Sequence, residues 1–197
     1  MGSDRAGRRG LRAVAALVIA MGVLVVLALA TQTDEPTVRE QQGRAPADRP
    51  TSVPAQIRAN LEQGDALLDT PLSAKLEALE GVPVVVNQWA SWCPPCEAEF
   101  PFFAELAKRY ERRVAFLGVN SRDERGPAEA FLREHPVTFP SVFDERAEQA
   151  RSIGAGVSWP TTVFFDAGGD AVFVRQGGYA TEAALEADIR QHALGLG

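Results

Sequence analysis

Cys93 and Cys96 are the only two cysteines in the 197-residue chain, and Pro94 and Pro95 separate them. A thiol is a useful nucleophile only as its thiolate, and the positive end of a helix favours that form. A second thiol three residues on lies one helical turn away, close enough to attack a mixed disulfide and release its other half. The pair falls where the apolar run Val82–Val86 gives way to a helical pattern. The spacing therefore points to thiol–disulfide exchange, with Cys93 as the exposed nucleophile at the helix start. Cys96 is then the more buried resolving thiol, with the higher pKa. An inert structural disulfide is the alternative, and a tight four-residue loop at a helix start argues against it. Both prolines lack an N–H, so Cys96 N–H is the nearest backbone donor left for a Cys93 thiolate. A less stabilised thiolate means a less stabilised reduced form, hence a more reducing couple.

Other chemistries find less support. One C-x-x-C pair is half of a four-cysteine zinc site, so no metal site is predicted. A metal-binding chaperone module using Cys93 and Cys96 would want nearby methionine or histidine ligands. Met1 and Met21 are both N-terminal, His135 precedes Pro136 at a helix end, and His192 lies near the C-terminus. The net charge is −6, and the body from Thr31 onward holds 16 of the 20 basic residues but 25 of the 26 acidic ones. An acidic body argues against nucleic acid as a partner, because such binding needs Lys and Arg to neutralise phosphates. Hydrophobic residues make up 46% of the chain, enough for a packed core.

Three regions follow from composition. Residues 1–30 form a signal-anchor segment, in which Arg5, Arg8, Arg9 and Arg12 precede the uncharged apolar run Ala13–Ala30. That run is just long enough to span a bilayer, while Ala28-Leu29-Ala30 offers a cleavage site that would make the protein secreted. The arginines before the run keep the N-terminus in the cytoplasm, which places the body on the extracytoplasmic side. There, disulfides form and persist. Residues 31–54 contain Pro36, Pro46, Pro50 and Pro54 and read as a flexible linker. All fifteen aromatic residues lie at Trp89 or beyond, so residues 55–197 hold the folded domain.

Within that domain, Ile57–Leu68 is open between a short helix and an irregular arm, and Ser73–Leu79 is predicted helical. Val82–Val86 and Val114–Asn120 read as buried strands flanking a helix that starts at Pro94 or Pro95 and kinks at Pro101. Pro127–Glu134 and Glu145–Ile153 are predicted helices, with a short strand at Pro140–Phe143 between them. Thr161–Phe165 and Ala171–Arg175 form a hairpin around Asp166-Ala167-Gly168-Gly169-Asp170, and Thr181 caps a last helix reaching Leu194. The order βαβ, helix, helix, ββα specifies an α/β domain with a mixed central sheet flanked by helices.

The segment Val86-Asn87-Gln88-Trp89-Ala90-Ser91-Trp92-Cys93-Pro94-Pro95-Cys96 closely resembles the active-site segment of thioredoxin-fold proteins. With Asn87 ahead and Glu99 and Pro101 behind, it looks like the membrane-anchored TlpA/ResA/DsbE branch. The likeness runs over residues 70–195 and includes Ser121–Trp159, similar to that branch's insertion between the βαβ and ββα units. It implies a thioredoxin fold, a cis peptide bond at Trp159-Pro160 and no cofactor beyond the redox-active Cys93–Cys96 disulfide. It also implies that a buried Glu99 manages the proton of Cys96. An ordinary acidic residue favoured by the helix dipole is the competing reading for Glu99. Trp92, Pro94, Pro95, Trp159 and Pro160 would form the wall against which a substrate lies; core burial is the alternative for the two tryptophans. The chain departs from the branch at Gln88, where an aromatic is usual, at Trp159, where a smaller aliphatic is usual, and in lacking a clear Phe-x-Leu start within Leu61–Leu72. The resemblance implies reduction of disulfides in exported proteins, apocytochrome c among them, with a membrane electron donor of the CcdA/DsbD type. A thiol oxidase that introduces disulfides is the alternative direction.

Overall fold

Every residue of the strand Val84–Trp89 is buried, because its side chains enter two different cores. Val85 and Trp89 join one cluster with Phe100, Phe103, Leu106, Phe116, Phe131 and Phe164. Val84 and Val86 join the other with Ile57, Leu72, Leu117, Val119, Val142 and Val163. A sheet covered on both faces has no solvent side, so its central strand reads as a continuous apolar run. The computed structural model describes residues 52–196. The apolar run 13–30 and nearly all of the linker 31–54 lie outside the described residues.

The elements are α1 (Ala55–Leu61), β1 (Leu67–Leu68), α2 (Leu72–Ala78), β2 (Val84–Trp89), α3 (Pro94–Tyr110) and β3 (Ala115–Ser121), then α4 (Arg125–Glu134), β4 (Ser141–Asp144), α5 (Glu148–Ser152), β5 (Thr161–Phe165), β6 (Ala171–Gln176) and α6 (Glu182–Asp188). A π-helical turn, Ile189–Ala193, follows α6. The six strands lie in the order β1-β4-β3-β2-β5-β6. The first four pair in parallel, and β5 and β6 are antiparallel to their neighbours. This is the mixed, helix-flanked sheet that the element order specified. The 121–159 insertion supplies β4 to the sheet together with α4 and α5. No helix among the described residues is long and apolar enough to cross a membrane.

Three expectations change. The Ile57–Leu68 segment, open between a short helix and an irregular arm, is a helix followed by a two-residue strand, and that strand, β1, pairs in parallel with the distant β4. The helix predicted over Glu145–Ile153 is only Glu148–Ser152. Ala147 adopts a left-handed φ of 56°, and the Asp144 carboxylate accepts from the N–H groups of Glu148 and Ala150, so the helix starts late. The last helix stops being regular at Asp188 and closes through the π-helical turn. The other boundaries move by a few residues at most.

One close approach fixes the lead-in to the cysteines. Trp89 donates its indole N–H to Ser141 Oγ at 3.0 Å, and Gly118 of β3 passes beneath that bond. A Cβ at Gly118 would lie 2.0 Å from Ser141 Oγ and 2.9 Å from Trp89 Nε1. Trp89 also stacks on Phe131 and meets Phe100 edge-on. The last residue of β2 is thereby immobilised before the chain turns into α3.

Candidate active site

Helix α3 begins at Pro94, with Cys93 as its N-cap. Proline suits the first turn because its missing N–H would have had no intrahelical partner. The helix continues through Pro101 to Tyr110, so that proline does not end it. Cys93 and Cys96 form a disulfide with their Cα atoms 5.3 Å apart. Cys96 N–H reaches Cys93 Sγ at 3.2 Å, and the same N–H also lies 3.0 Å from Cys93 O. Glu97 N–H is directed to Cys93 O as well. One shared donor is therefore what the helix start offers the sulfur, in keeping with two missing N–H groups at Pro94 and Pro95.

Cys93 is less accessible than its place at the helix start suggests. It is 3% exposed and Cys96 is fully buried. In the disulfide form the Cys93 sulfur is folded over the first turn and packs into the cluster of Trp89, Ala90 and Phe100. Pro94 and Pro95 remain exposed. Both sulfurs are thus buried in the disulfide form, Cys96 only slightly the deeper.

Glu99 is entirely buried. Asn87 Nδ2 donates to its Oε1 at 2.8 Å, and the Tyr179 backbone N–H donates to its Oε2 at 2.9 Å. Burial pushes the carboxyl up to about 7, against the opposing pull of those two hydrogen bonds and of Arg175. This overturns the reading of Glu99 as a solvated first-turn acid. The carboxyl also lies close to the wall of the site. A Cβ at Gly178 would be 3.6 Å from each of Glu99 Oε2, Pro160 Cγ and Pro95 O. The arrangement gives a carboxyl that can take or release a proton near neutral pH, one helical turn from Cys96.

The opposite wall is Trp159-Pro160, and that peptide bond is cis. Pro160 is buried, while Trp159 is half-buried and lies across from Trp92, with ring centroids 5.6 Å apart. Trp92 is 54% exposed, so it is a surface group rather than core. The indole N–H groups of both tryptophans donate to the turn after β3: Trp92 to Arg122 O at 2.7 Å, and Trp159 to Ser121 O at 3.2 Å. Trp92, Cys93, Pro94, Pro95, Cys96, Glu99, Trp159 and Pro160 thus converge on one end of the sheet.

Residues outside that predicted set complete the site. Asn87 positions Glu99, and Tyr179 supplies a backbone donor that no side-chain pattern could reveal. Asp123 accepts from Ser91 N–H, Ser91 Oγ, Asn120 Nδ2 and Glu124 N–H, tying the cysteine loop to the β3–α4 turn. Gln88, in the place of the usual aromatic, spends its amide on Ser121 Oγ and Gly156 N–H and so anchors both ends of the insertion. The histidines stand apart. His135 packs on Phe131 and Phe100, and His192 stacks on Phe173.

A mixed sheet whose central strand delivers a C-x-x-C disulfide to a helix start, opposite a cis-proline, defines a thioredoxin-like protein. The chain belongs to the Redoxin family, whose profile matches residues 52–189. Among curated relatives, the thiol-disulfide oxidoreductase ResA of Geobacillus thermodenitrificans is 33% identical over 119 residues, covering 60% of this chain and 65% of the relative. A thiol:disulfide interchange protein DsbE homolog of Paracoccus denitrificans is 35% identical over 135 residues, covering 66% of this chain and 72% of the relative. The chain thus spans just under two thirds of the ResA protein and somewhat more of the DsbE homolog. Among solved structures, a thiol:disulfide interchange protein DsbE from Chlorobium tepidum aligns with a TM-score of 0.56 at 28% identity, covering 68% of this chain and 97% of that one. A DsbF homologue from Corynebacterium diphtheriae aligns with a TM-score of 0.54 at 28% identity, covering 59% and 75%. These likenesses identify a TlpA/ResA/DsbE-like thioredoxin-fold protein.

Proposed function

We propose that this protein is a membrane-tethered, extracytoplasmic thiol–disulfide oxidoreductase that reduces disulfides in exported proteins. The observation that carries the reading is the Cys93–Cys96 disulfide at the start of α3 with the buried Glu99 carboxyl one turn beyond it. In the reduced form the Cys93 thiolate attacks a substrate disulfide, forming a Cys93–substrate mixed disulfide and expelling one substrate thiolate. Cys96 then passes its proton to Glu99, and its thiolate attacks Cys93 Sγ. That step expels the second substrate thiolate and leaves the Cys93–Cys96 bond. Two electrons pass to the substrate, and the expelled thiolates take up protons. Trp92, Pro94, Pro95, Trp159 and Pro160 form the surface on which the substrate strand lies.

Reduction is the favoured direction because the Cys93 sulfur has a single backbone donor, which it shares with a carbonyl. Fewer donors stabilise the thiolate less and make the dithiol a better reductant. Cysteines of apocytochrome c haem sites are the substrate class that the ResA- and DsbE-like character suggests. A membrane electron carrier of the CcdA/DsbD type would restore the dithiol, and the apolar run Ala13–Ala30 would hold the domain beside it. Equilibration with glutathione buffers tests the direction. The expected potential lies far below that of strongly oxidising enzymes, about −120 mV. A value as high as that, with oxidative refolding of a reduced substrate outpacing insulin reduction, would make the protein an oxidase instead.

A further inference from the structure

Arg122 stands in the turn between β3 and α4 with a backbone φ of 52°. A side chain bearing Cβ rarely takes this left-handed conformation, and such residues collect at functional sites where their surroundings over-determine them. Here the surroundings are the two walls of the disulfide. Trp92 donates to Arg122 O and Trp159 to Ser121 O, while Arg122 N–H reaches Asp144 O at 3.3 Å. The next residue, Asp123, is held by four donors, two of them on Ser91 in the cysteine loop. Glycine would fill this turn without strain, so the side chain present calls for a reason.

The guanidinium lies over the Trp159 ring, 5.7 Å from its centroid, and the residue is exposed. It makes no salt bridge among the described residues; the neighbouring Asp123 carboxylate is already saturated by its four donors. A guanidinium within cation–π range of an indole, with no salt-bridge partner among the described residues, has N–H groups to offer in a fork that matches a carboxylate. The rim of the site therefore combines the exposed indole of Trp92, set against Trp159, with a cation that has no salt bridge among the described residues.

We infer that Arg122 is a specificity determinant that receives the carboxylate of an acidic side chain flanking the disulfide of the substrate protein. The inference rests on the protein-disulfide reading above and adds the chemistry of the substrate segment. The indoles take apolar contacts from an extended strand lying along the cis-proline wall, and the guanidinium takes the Asp or Glu beside its cysteine.

Two disulfide-linked peptide pairs, identical except for Glu or Lys next to the cysteine, test it with the reduced protein at low ionic strength. Each rate is normalised to that of the same variant with bis(2-hydroxyethyl) disulfide, a small uncharged linear disulfide. The wild type should prefer the Glu peptide about fivefold, the size expected of a partly exposed ion pair, and high salt should erase most of the preference. Arg122→Gly suits the left-handed backbone and removes only the side chain, so its ratio should fall to about one. Arg122→Lys should restore part of the preference and Arg122→Glu should invert it. A preference that persists in Arg122→Gly, or a wild type that takes both peptides equally, overturns the role of Arg122. A wild type that exchanges with bis(2-hydroxyethyl) disulfide but with neither peptide overturns the protein-disulfide reading itself.

Discussion

Replacing Glu99 by glutamine removes an ionisable proton while keeping the shape of the side chain, and the structure sets how much that is worth. The carboxyl is fully buried and raised to about 7 from an ordinary value near 4.5, chiefly by desolvation. Between those two pH values the native state binds this proton more tightly than the unfolded chain, so unfolding stability falls as pH rises. The stabilising difference is complete below about 4.5 and gone above about 7; it amounts to about 3 kcal/mol. Glutamine at 99 has no such dependence. Its amide oxygen can accept from Tyr179 N–H, and its NH2 can donate to Asn87 once that amide turns over; any cost of this exchange is a constant offset across pH. Urea unfolding of the oxidised wild type and of Glu99→Gln, measured from pH 4 to pH 8, isolates the slope because all other titrating groups cancel. The wild type should lose about 3 kcal/mol relative to the variant across that range. Parallel profiles, differing in shape by less than about 0.5 kcal/mol throughout, would mean that Glu99 titrates in the native state as it does in the unfolded chain. Its assignment as the proton acceptor for Cys96 would then fall.

Two further outcomes follow from the same geometry. Cys96→Ser should accumulate a mixed disulfide between Cys93 and a substrate peptide, visible by mass spectrometry, while Cys93→Ser should form none. Trapping through position 96 instead would reverse the assigned roles. Asp123→Ala removes the acceptor of four hydrogen bonds and leaves buried donors without partners, so it should cost about 3 kcal/mol of stability. Its urea midpoint should drop with an unchanged slope; an unchanged midpoint would show that the cysteine loop does not depend on this carboxylate.

Local chemistry makes much of the site legible. Proline in a first turn, an apolar run before it and thiols three residues apart are short-range signals, and they place the start of α3 and set the two thiols one turn apart. The same holds for β5, bounded by Pro160 and a turn-forming Asp166–Asp170, and for Thr181, whose hydroxyl accepts from Ala184 N–H as a helix cap should. Less legible is the accessibility of Cys93, because its burial depends on which cluster the disulfide folds against. The late start of α5 is hidden too, since Asp144 competes for the backbone donors that a longer helix would have used.

The amino-acid sequence by itself determines the pair of thiols and the helix that carries them, because both depend on neighbours within a turn or two; the cis bond before Pro160 is implied there only by a resemblance. Only the tertiary structure decides what Glu99 is. Its spacing from Cys96 is equally compatible with a solvated acid and a buried one. The choice is made by Asn87, twelve residues before it, and by a backbone N–H eighty residues after it. The rim shows the same dependence: Trp92, Arg122 and Trp159 lie far apart along the chain and become one surface because two indole N–H groups close on a single strained turn. Burial and long-range hydrogen bonding set the pKa and the exposure of a group, and both are properties of the assembled fold.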